Sequence, residues 1–235
     1  MSIMKYTTKI ILYSSHFDIN DRLSPKSILN IFQDVTAAHG EELGVGYKSM
    51  IDKNLYWVLS RIKLDIIKMP IVNQTVVVET WPQVKGRIDF DRDMKILSED
   101  GELLIKATSK WCVIDTVKRM LQRTDNVNYD GEYCLDKNYE DKLNKIIMPN
   151  EKFEKKFVYV VKFSDLDHNK HMNNTNYANL VVNVLNNKIF NHFEINFINE
   201  CLENDKICVC MYINENGQYI SGLNGENIAF NAYVK

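Results

Sequence analysis

Residues 167–177 read Asp167-His168-Asn169-Lys170-His171-Met172-Asn173-Asn174-Thr175-Asn176-Tyr177. They separate an apolar, strand-like run at 157–163 from a helix-like run at about 174–187. In that second run Tyr177, Leu180, Val181, Val184 and Leu185 recur on one helical face. Asp167, Asn169 and His171 fall at every second residue, and an extended backbone would set all three on one side. The helix that follows presents free N–H groups and the positive end of its dipole, which favour a developing negative charge. A proton-transfer group beside such an element is what acyl-transfer chemistry requires.

The same pattern stands 149 positions earlier. Asp18, Asn20 and Arg22 precede Asp167, Asn169 and His171 by that interval (18 against 167, 20 against 169, 22 against 171), and Leu23 precedes Met172 and Ile28 precedes Tyr177 by it too. A strand-like run at 9–17 leads in. Ser24 can cap a helix, Pro25 suits its first position, and Ile28, Ile31, Phe32 and Val35 continue its apolar stripe to about Gly40. Strands follow at 56–67, 75–81, 87–96 and 103–114. Ile88, Phe90, Met94 and Ile96 share one face of the third, and Asp100-Gly101 turns into the fourth. After 174–187 come strands at 193–200, 207–213, 218–223 and 228–234, with Asn216-Gly217 and Asn224-Gly225 as hairpin turns. Both halves thus order strand, helix and antiparallel meander, an α+β chain built by duplication. The alternative is chance agreement between two strand-turn-helix units. The expected organisation is a first unit at 1–121 carrying a degenerate site with Arg22 in place of His, a polar connector at 122–151 with room for a short helix, and a chemically competent unit at 152–235.

The bulk numbers narrow the function. Twenty-nine Lys and Arg against 31 Asp and Glu give a net charge of −2 over 235 residues. A nucleic-acid binder usually shows a strong basic excess, which is absent. No apolar run approaches the length of a membrane span and no secretory signal is visible. Five cysteines without CxxC spacing (112, 134, 201, 208 and 210) suit a reducing, cytoplasmic setting. His16, His39 and His192 show no ligand spacing with other candidates, so no metal and no cofactor is expected. Asn73-Gln74-Thr75 and Asn173-Asn174-Thr175 match the glycosylation pattern, which without secretion is accidental.

On these residues the chain resembles the acyl-acyl-carrier-protein thioesterases of plants and bacteria. The family signature D-x-N-x-H-x-N-N-x-x-Y stands here as Asp167, Asn169, His171, Asn173, Asn174 and Tyr177, and its adjacent Glu-Cys on a strand as Glu200-Cys201. Further likeness lies in Tyr56-Trp57-Val58-Leu59-Ser60-Arg61, in Val78-Glu79-Thr80-Trp81-Pro82 and in Ala107-Thr108-Ser109-Lys110-Trp111. The resemblance implies a double hot-dog fold, two tandem antiparallel sheets each wrapped around a long helix. It implies hydrolysis of fatty acyl thioesters on acyl carrier protein, with Asp167, Asn169, His171 and Glu200 as site members and Cys201 at a position once assigned as nucleophile. Asn173, Asn174, Tyr177, Trp57 and Arg61 are the candidate substrate-binding residues, and Trp57, Trp81 and Trp111 could line an acyl tunnel. Leu180 departs from the family, which often has Trp there. The missing plastid-targeting extension points to a bacterial member, monomeric or homodimeric.

Two mechanisms stay open at this level. In one, Glu200 activates water while His171 and Asn169 orient it, and Asp167 fixes the histidine tautomer or supports the loop. In the other, Cys201 attacks with His171 as base. Taken singly, each residue has a plainer explanation: Asp and Asn before a helix are common caps, and a lone Cys is usually an inert buried thiol. Arg22 reads as an ion-pair partner of Asp18 or Asp21, or as a remnant of a site. Basic clusters at Lys152, Lys155, Lys156 and Lys162, and at Lys118, Arg119 and Arg123, are candidate docking faces for an acidic carrier. Competing functions are an acyl-CoA thioesterase or a dehydratase of the same fold, and a non-catalytic acyl-thioester sensor. No Gly-rich phosphate cradle and no helix-turn-helix extension supports these.

Overall fold

The computed structural model describes residues 4–186 and 188–235. The chain divides into two compact units, Met1–Leu143 and Asn144–Lys235, so the division falls inside the stretch read as a connector. Each unit is a hot-dog, an antiparallel sheet wrapped around a helix.

The first unit contains β1 (Tyr6–Ile11), α1 (Pro25–Glu42), α2 (Tyr47–Ile51), β2 (Leu55–Ile66), β3 (Thr75–Pro82), β4 (Phe90–Ser98), β5 (Leu103–Asp115) and β6 (Met120–Leu121). Its strand order is β1-β3-β4-β5-β2, with β6 on β5, all antiparallel. Ser24 caps α1 by accepting the Ser27 N–H at 3.1 Å, and Pro25 opens the helix where a missing N–H costs nothing. Ile28, Leu29, Ile31, Phe32 and Val35 are buried, and the Thr36 hydroxyl reaches Met94 Sδ of β4 at 3.9 Å. The helix runs past Gly40, because its break comes only at Gly44 with φ 69°. Ile88 does not join the buried face of Phe90, Met94 and Ile96. It is 46 % exposed because β4 begins only at Phe90, after a turn closed by the Gly86 N–H on Asp89 O.

The opposite face of this sheet carries a strap from the polar 130s. Trp81 donates its indole N–H to Asp136 O at 2.9 Å, and the Asn138 amide bonds Met94 O and Ala107 O, each at 2.8 Å. The expected short helix of this stretch is a single 3-10 turn, Thr124–Asn126.

The second unit contains β7 (Glu154–Val160), α3 (Asn174–Leu185), β8 (His192–Phe197), β9 (Lys206–Asn214), β10 (Gly217–Asn224) and β11 (Asn227–Val234), ordered β8-β11-β10-β9-β7. Tyr177, Ala178, Leu180, Val181, Val184 and Leu185 form the buried face of α3. The helix stops at Leu185 because Asn186 takes a left-handed conformation, φ 47°. The expected last residue, Asn187, lies outside the described residues. Both hairpin loops sit one residue from the sequence reading. Asn214 pairs with Gly217, leaving Glu215-Asn216 as the loop, and Asn224 pairs with Asn227, leaving Gly225-Glu226 with Gly225 at φ 62°.

The strands read at 9–17 and 157–163 end earlier, at Ile11 and Val160, for one shared reason. Each gives way to a 3-10 turn, Ser14–His16 or Phe163–Asp165, fixed by a side chain that accepts a backbone N–H: His16 Nδ1 from Tyr13 at 3.0 Å, Asp165 Oδ2 from Lys162 at 2.8 Å.

Gly222 of β10 leaves room for the ring of Phe230, which a Cβ at that position would overlap. Phe230 is fully buried and meets Tyr177 edge-on, centroids 5.4 Å apart, so it has nowhere to retreat. Gly222→Ala is expected to lower unfolding stability by about 1–3 kcal/mol, read from the urea midpoint. An unchanged midpoint would show that the ring repacks freely.

Candidate active site

The motif loop joins β7 to α3. Asp165 anchors its first part: the carboxylate accepts the Lys162 N–H and the Tyr159 hydroxyl, both at 2.8 Å. Burial and this bond to Asp165 push the Tyr159 hydroxyl up to about 12. The Asp165 carbonyl accepts the Asn173 N–H at 2.8 Å and the Asn176 amide at 2.9 Å, tying the loop to the helix start. Neither Asp165 nor Asn176 was singled out from the sequence. Their only signals are an Asp before the motif and an Asn in the first helical turn.

Asp167, Asn169 and His171 do not lie on an extended strand. Asp167 Oδ1 accepts the backbone N–H of Asn169 at 2.8 Å and lies 3.4 Å from that of His171, while the Asp167 N–H donates to His171 O at 2.8 Å. The chain closes on itself through Lys170 at φ 65°. Asp167 therefore holds the loop, and His171 leaves it at the far side.

His171 Nε2 lies 3.2 Å from Glu200 Oε2. A backbone bond from the Met172 N–H to Cys201 O, 2.8 Å, holds the two segments together. Glu200 and Cys201 stand in the loop after β8 and not on a strand. The ladder ends at Phe197 because Ile198 and Asn199 both donate to Ala229 O, and the Asn199 amide turns to Ile228 O. Glu200 is exposed, half-buried His171 beside it.

Cys201 is fully buried. Burial pushes its thiol up, a rise only partly offset by the hydrogen bond with the Tyr177 hydroxyl. Burial first, then the neighbouring Cys201, raises the Tyr177 hydroxyl far above its usual value. Phe197 and Phe230 enclose the Tyr177 ring edge-on at 5.7 and 5.4 Å. Asn173 caps α3, its Oδ1 accepting the Thr175 N–H and hydroxyl at 2.9 Å each, and Asn174 is the first helical residue.

The first unit repeats the loop. Asp18 Oδ1 accepts the N–H of Asn20 at 2.8 Å and of Arg22 at 3.1 Å, and Asp21 takes φ 53° where Lys170 has 65°. Single bridges Phe17–Leu23 and Leu166–Met172 close the two loops alike. The difference lies at the last position. Arg22 turns back onto Asp18, Nε and Nη2 at 3.1 and 3.0 Å from Oδ2, whereas His171 faces Glu200. Although burial works the other way, the Arg22 and Asn20 N–H groups and the Arg22 guanidinium hold the Asp18 carboxyl below its usual value. Past the helix the interval between copies drops to 131, because the helical segment of the first copy is longer. Leu12 and Asn73 pair through backbone bonds just as Val161 and Asn204 do. In that alignment Met69-Pro70 stands where the second copy has Glu200-Cys201. The first unit thus lacks both the imidazole and the carboxylate.

Trp57 and Arg61 lie on β2 of the first unit. The Trp57 indole donates to Val45 O at 2.9 Å and packs edge-on to Phe90, against a cluster that includes Met50, Val113 and Val127. Arg61 Nη1 reaches Leu143 O at 3.4 Å. Trp111 bonds Ser109 Oγ at 2.9 Å.

Two measurements follow from these contacts. Cys201 is expected to react with iodoacetamide far more slowly than partly exposed Cys134 at neutral pH, since a buried, raised thiol holds little thiolate; mass-spectrometric peptide mapping reads the order. For Asp18, a depressed folded-state pKa means stability present above the unfolded value and lost as pH falls through the folded one. Arg22→Gln should therefore destabilise most at neutral pH, with the gap to the parent closing in strongly acidic buffer. Parallel urea curves with a constant gap would contradict this.

The geometry has counterparts among known proteins. Residues 4–129 match the family profile of the acyl-ACP thioesterase N-terminal domain, and residues 148–224 that of the acyl-ACP thioesterase C-terminal domain. The chain is 30% identical over 247 residues to oleoyl-acyl carrier protein thioesterase 2, chloroplastic, of Arabidopsis thaliana, covering 94% of this chain and 66% of that protein. It is 28% identical to oleoyl-acyl carrier protein thioesterase 1, chloroplastic, of the same plant, over 95% of this chain and 69% of the other. The chain thus spans about two thirds of the length of these relatives. In fold it is similar to an acyl-ACP thioesterase from Bacteroides thetaiotaomicron, with TM-score 0.85, 22% identity and 98% and 97% of the two chains covered. It is likewise similar to the 12:0-ACP thioesterase from Umbellularia californica, with TM-score 0.80, 20% identity and 100% and 98% covered. With both of its halves matched and a 30% identical relative along most of its length, this chain belongs to the acyl-ACP thioesterase family.

Proposed function

We propose that the protein hydrolyses the thioester of fatty acyl chains borne by acyl carrier protein, releasing free fatty acid and ending chain elongation. The observation that carries this reading is the 3.2 Å approach of His171 to Glu200 in a chain of this family. Glu200 takes a proton from water as the water oxygen attacks the thioester carbonyl carbon. His171 and Asn169 orient water and carbonyl, and the start of α3 stabilises the oxyanion. Collapse breaks the C–S bond, and the proton passes to the departing sulfur, giving carboxylic acid and free thiol. Asp167 supports the loop through its backbone bonds, and that role needs no contact with the imidazole.

Burial and a raised thiol argue against Cys201 as nucleophile. The half-buried aromatic cluster around Trp57 and the Arg61 position are the proposed acyl-side contributions of the first unit, which on the domain reading is the non-catalytic hot-dog. Asn173, Asn174 and Tyr177 are proposed to shape the substrate side of the second. Five free thiols accord with a reducing interior such as a bacterial cytoplasm, part of the same proposal.

Free-thiol release from medium- to long-chain acyl-carrier and acyl-CoA substrates tests it. His171→Ala and Glu200→Gln are each expected to lower kcat by about 10²- to 10⁴-fold, and Cys201→Ala to stay within about threefold of the parent, as truncating a packing group does when no covalent step is lost. Loss of turnover in a folded Cys201→Ala protein would restore the covalent route. Tight acyl binding without release by the parent would end the hydrolase reading.

A further inference from the structure

The two copies of the loop also differ where they meet solvent. In the second unit Lys162 and Phe163 lead into the motif loop, Lys170 sits at its tip, and Leu202 and Lys206 follow Glu200. Backbone bonds gather these positions around one end of the sheet. Val160 pairs with Lys206, the Val161 N–H donates to Asp205 O at 2.9 Å, and the Met172–Cys201 bond brings the loop tip to the segment before Leu202. Phe163 is 79 % exposed and Leu202 52 %. These two apolar side chains stand among Lys162, Lys170 and Lys206, on the segments that lead to His171 and Glu200.

The first unit repeats the first two of these backbone contacts and keeps exposed side chains at Tyr13 and Ile71, but it carries none of the cations. Tyr13, Ser14, Asp21, Ile71 and Thr75 stand in place of Lys162, Phe163, Lys170, Leu202 and Lys206. The second copy therefore carries three cations where its twin carries a phenol, a carboxylate and a hydroxyl. Among the described residues none of these lysines is held in an ion pair. The neighbouring carboxylates have partners of their own: Asp165 accepts the Lys162 N–H and the Tyr159 hydroxyl, Asp205 the Leu202 N–H and the Asn224 amide, and Glu200 lies against His171. Glu203 is the remaining exposed carboxylate of that turn. Elsewhere the basic clusters are partly neutralised, Lys156 by Glu154 at 2.6 Å and Arg123 by Asp125 at 3.6 Å.

We propose that the rim of Lys162, Phe163, Lys170, Leu202 and Lys206 is the docking face for the carrier, an acidic protein domain whose acylated arm passes this rim to reach His171 and Glu200. The inference rests on the hydrolase reading above for its substrate and on charge complementarity for its place.

The double variant Lys162→Tyr, Lys170→Asp tests it, because the first copy shows that this backbone accepts Tyr13 and Asp21, the latter at the same left-handed conformation. Turnover of acyl-carrier and of a short acyl-N-acetylcysteamine thioester is measured beside fluorescence anisotropy of labelled, unacylated carrier. The expected result is a rise in KM for the carrier substrate, and in its dissociation constant, of about tenfold at low ionic strength, shrinking with added salt. The short thioester should be hydrolysed unchanged, and Lys118→Glu should alter neither. Parental KM and carrier affinity in the double variant would overturn the rim, as would equal losses on both substrates. Carrier that binds the parent through the rim but is never hydrolysed would sink the hydrolase reading and leave the rim standing.

Discussion

One carboxylate in each half, Asp18 or Asp167, turns back on its own loop and accepts the N–H two residues on, with the fourth close behind. A charged acceptor on backbone donors is among the stronger hydrogen bonds of a partly exposed segment, about 1.5–3 kcal/mol. It forces one residue, Asp21 or Lys170, into left-handed conformation and so reverses the chain within a few residues. That reversal aims the chain at a capped helix N-terminus, Ser24 or Asn173. The helix in turn offers an apolar stripe that the sheet covers. In the second unit this short closure sets the His171 side of the site.

Duplication makes the chemistry legible by contrast. The first copy keeps the loop and neutralises it locally: Arg22 folds back on Asp18. In the second copy the shorter imidazole of His171 faces Glu200 across a gap bridged by backbone, while the first copy has Met69 at the matching place. Two positions, one before the helix and one after the first strand beyond it, distinguish the two loops. The exposed rim diverged with them, from Tyr13 and Asp21 to Lys162 and Lys170.

Behind the motif loop the core is closely packed. Tyr177 is clamped by Phe197 and Phe230 and bonded to the Cys201 sulfur, and Gly222 is the concession that lets Phe230 sit where it does. A thiol so placed behaves as a small packing group with a weak hydrogen bond. The carboxylate next to it in sequence faces outward. Neighbours along the chain thus take opposite roles, one in the wall and one at the solvent side.

Much of this was legible in the sequence because it is local. The helix starts at Ser24-Pro25 and Asn173-Asn174 were readable from caps, the buried stripes of α1 and α3 from spacing, and the repeated loop from an Asp and an Asn that recur at one interval. The family followed from motif residues in both halves. Other features depended on partners remote in sequence. The extended reading of residues 167–171 failed because a side-chain carboxylate, invisible to periodicity, closes the loop. Glu200 left its expected strand because Ala229 and Ile228, far along the chain, end the ladder there. The mismatch of Met69-Pro70 with Glu200-Cys201 was hidden by the longer helical segment of the first copy, which breaks the constant interval. Sequence alone determined which residues could form helices, strands and a proton-transfer set, since propensity and spacing are properties of short segments. Only the tertiary structure decided that His171 meets Glu200 while Cys201 is sealed away, because that choice belongs to hydrogen bonds and packing between segments some thirty residues apart.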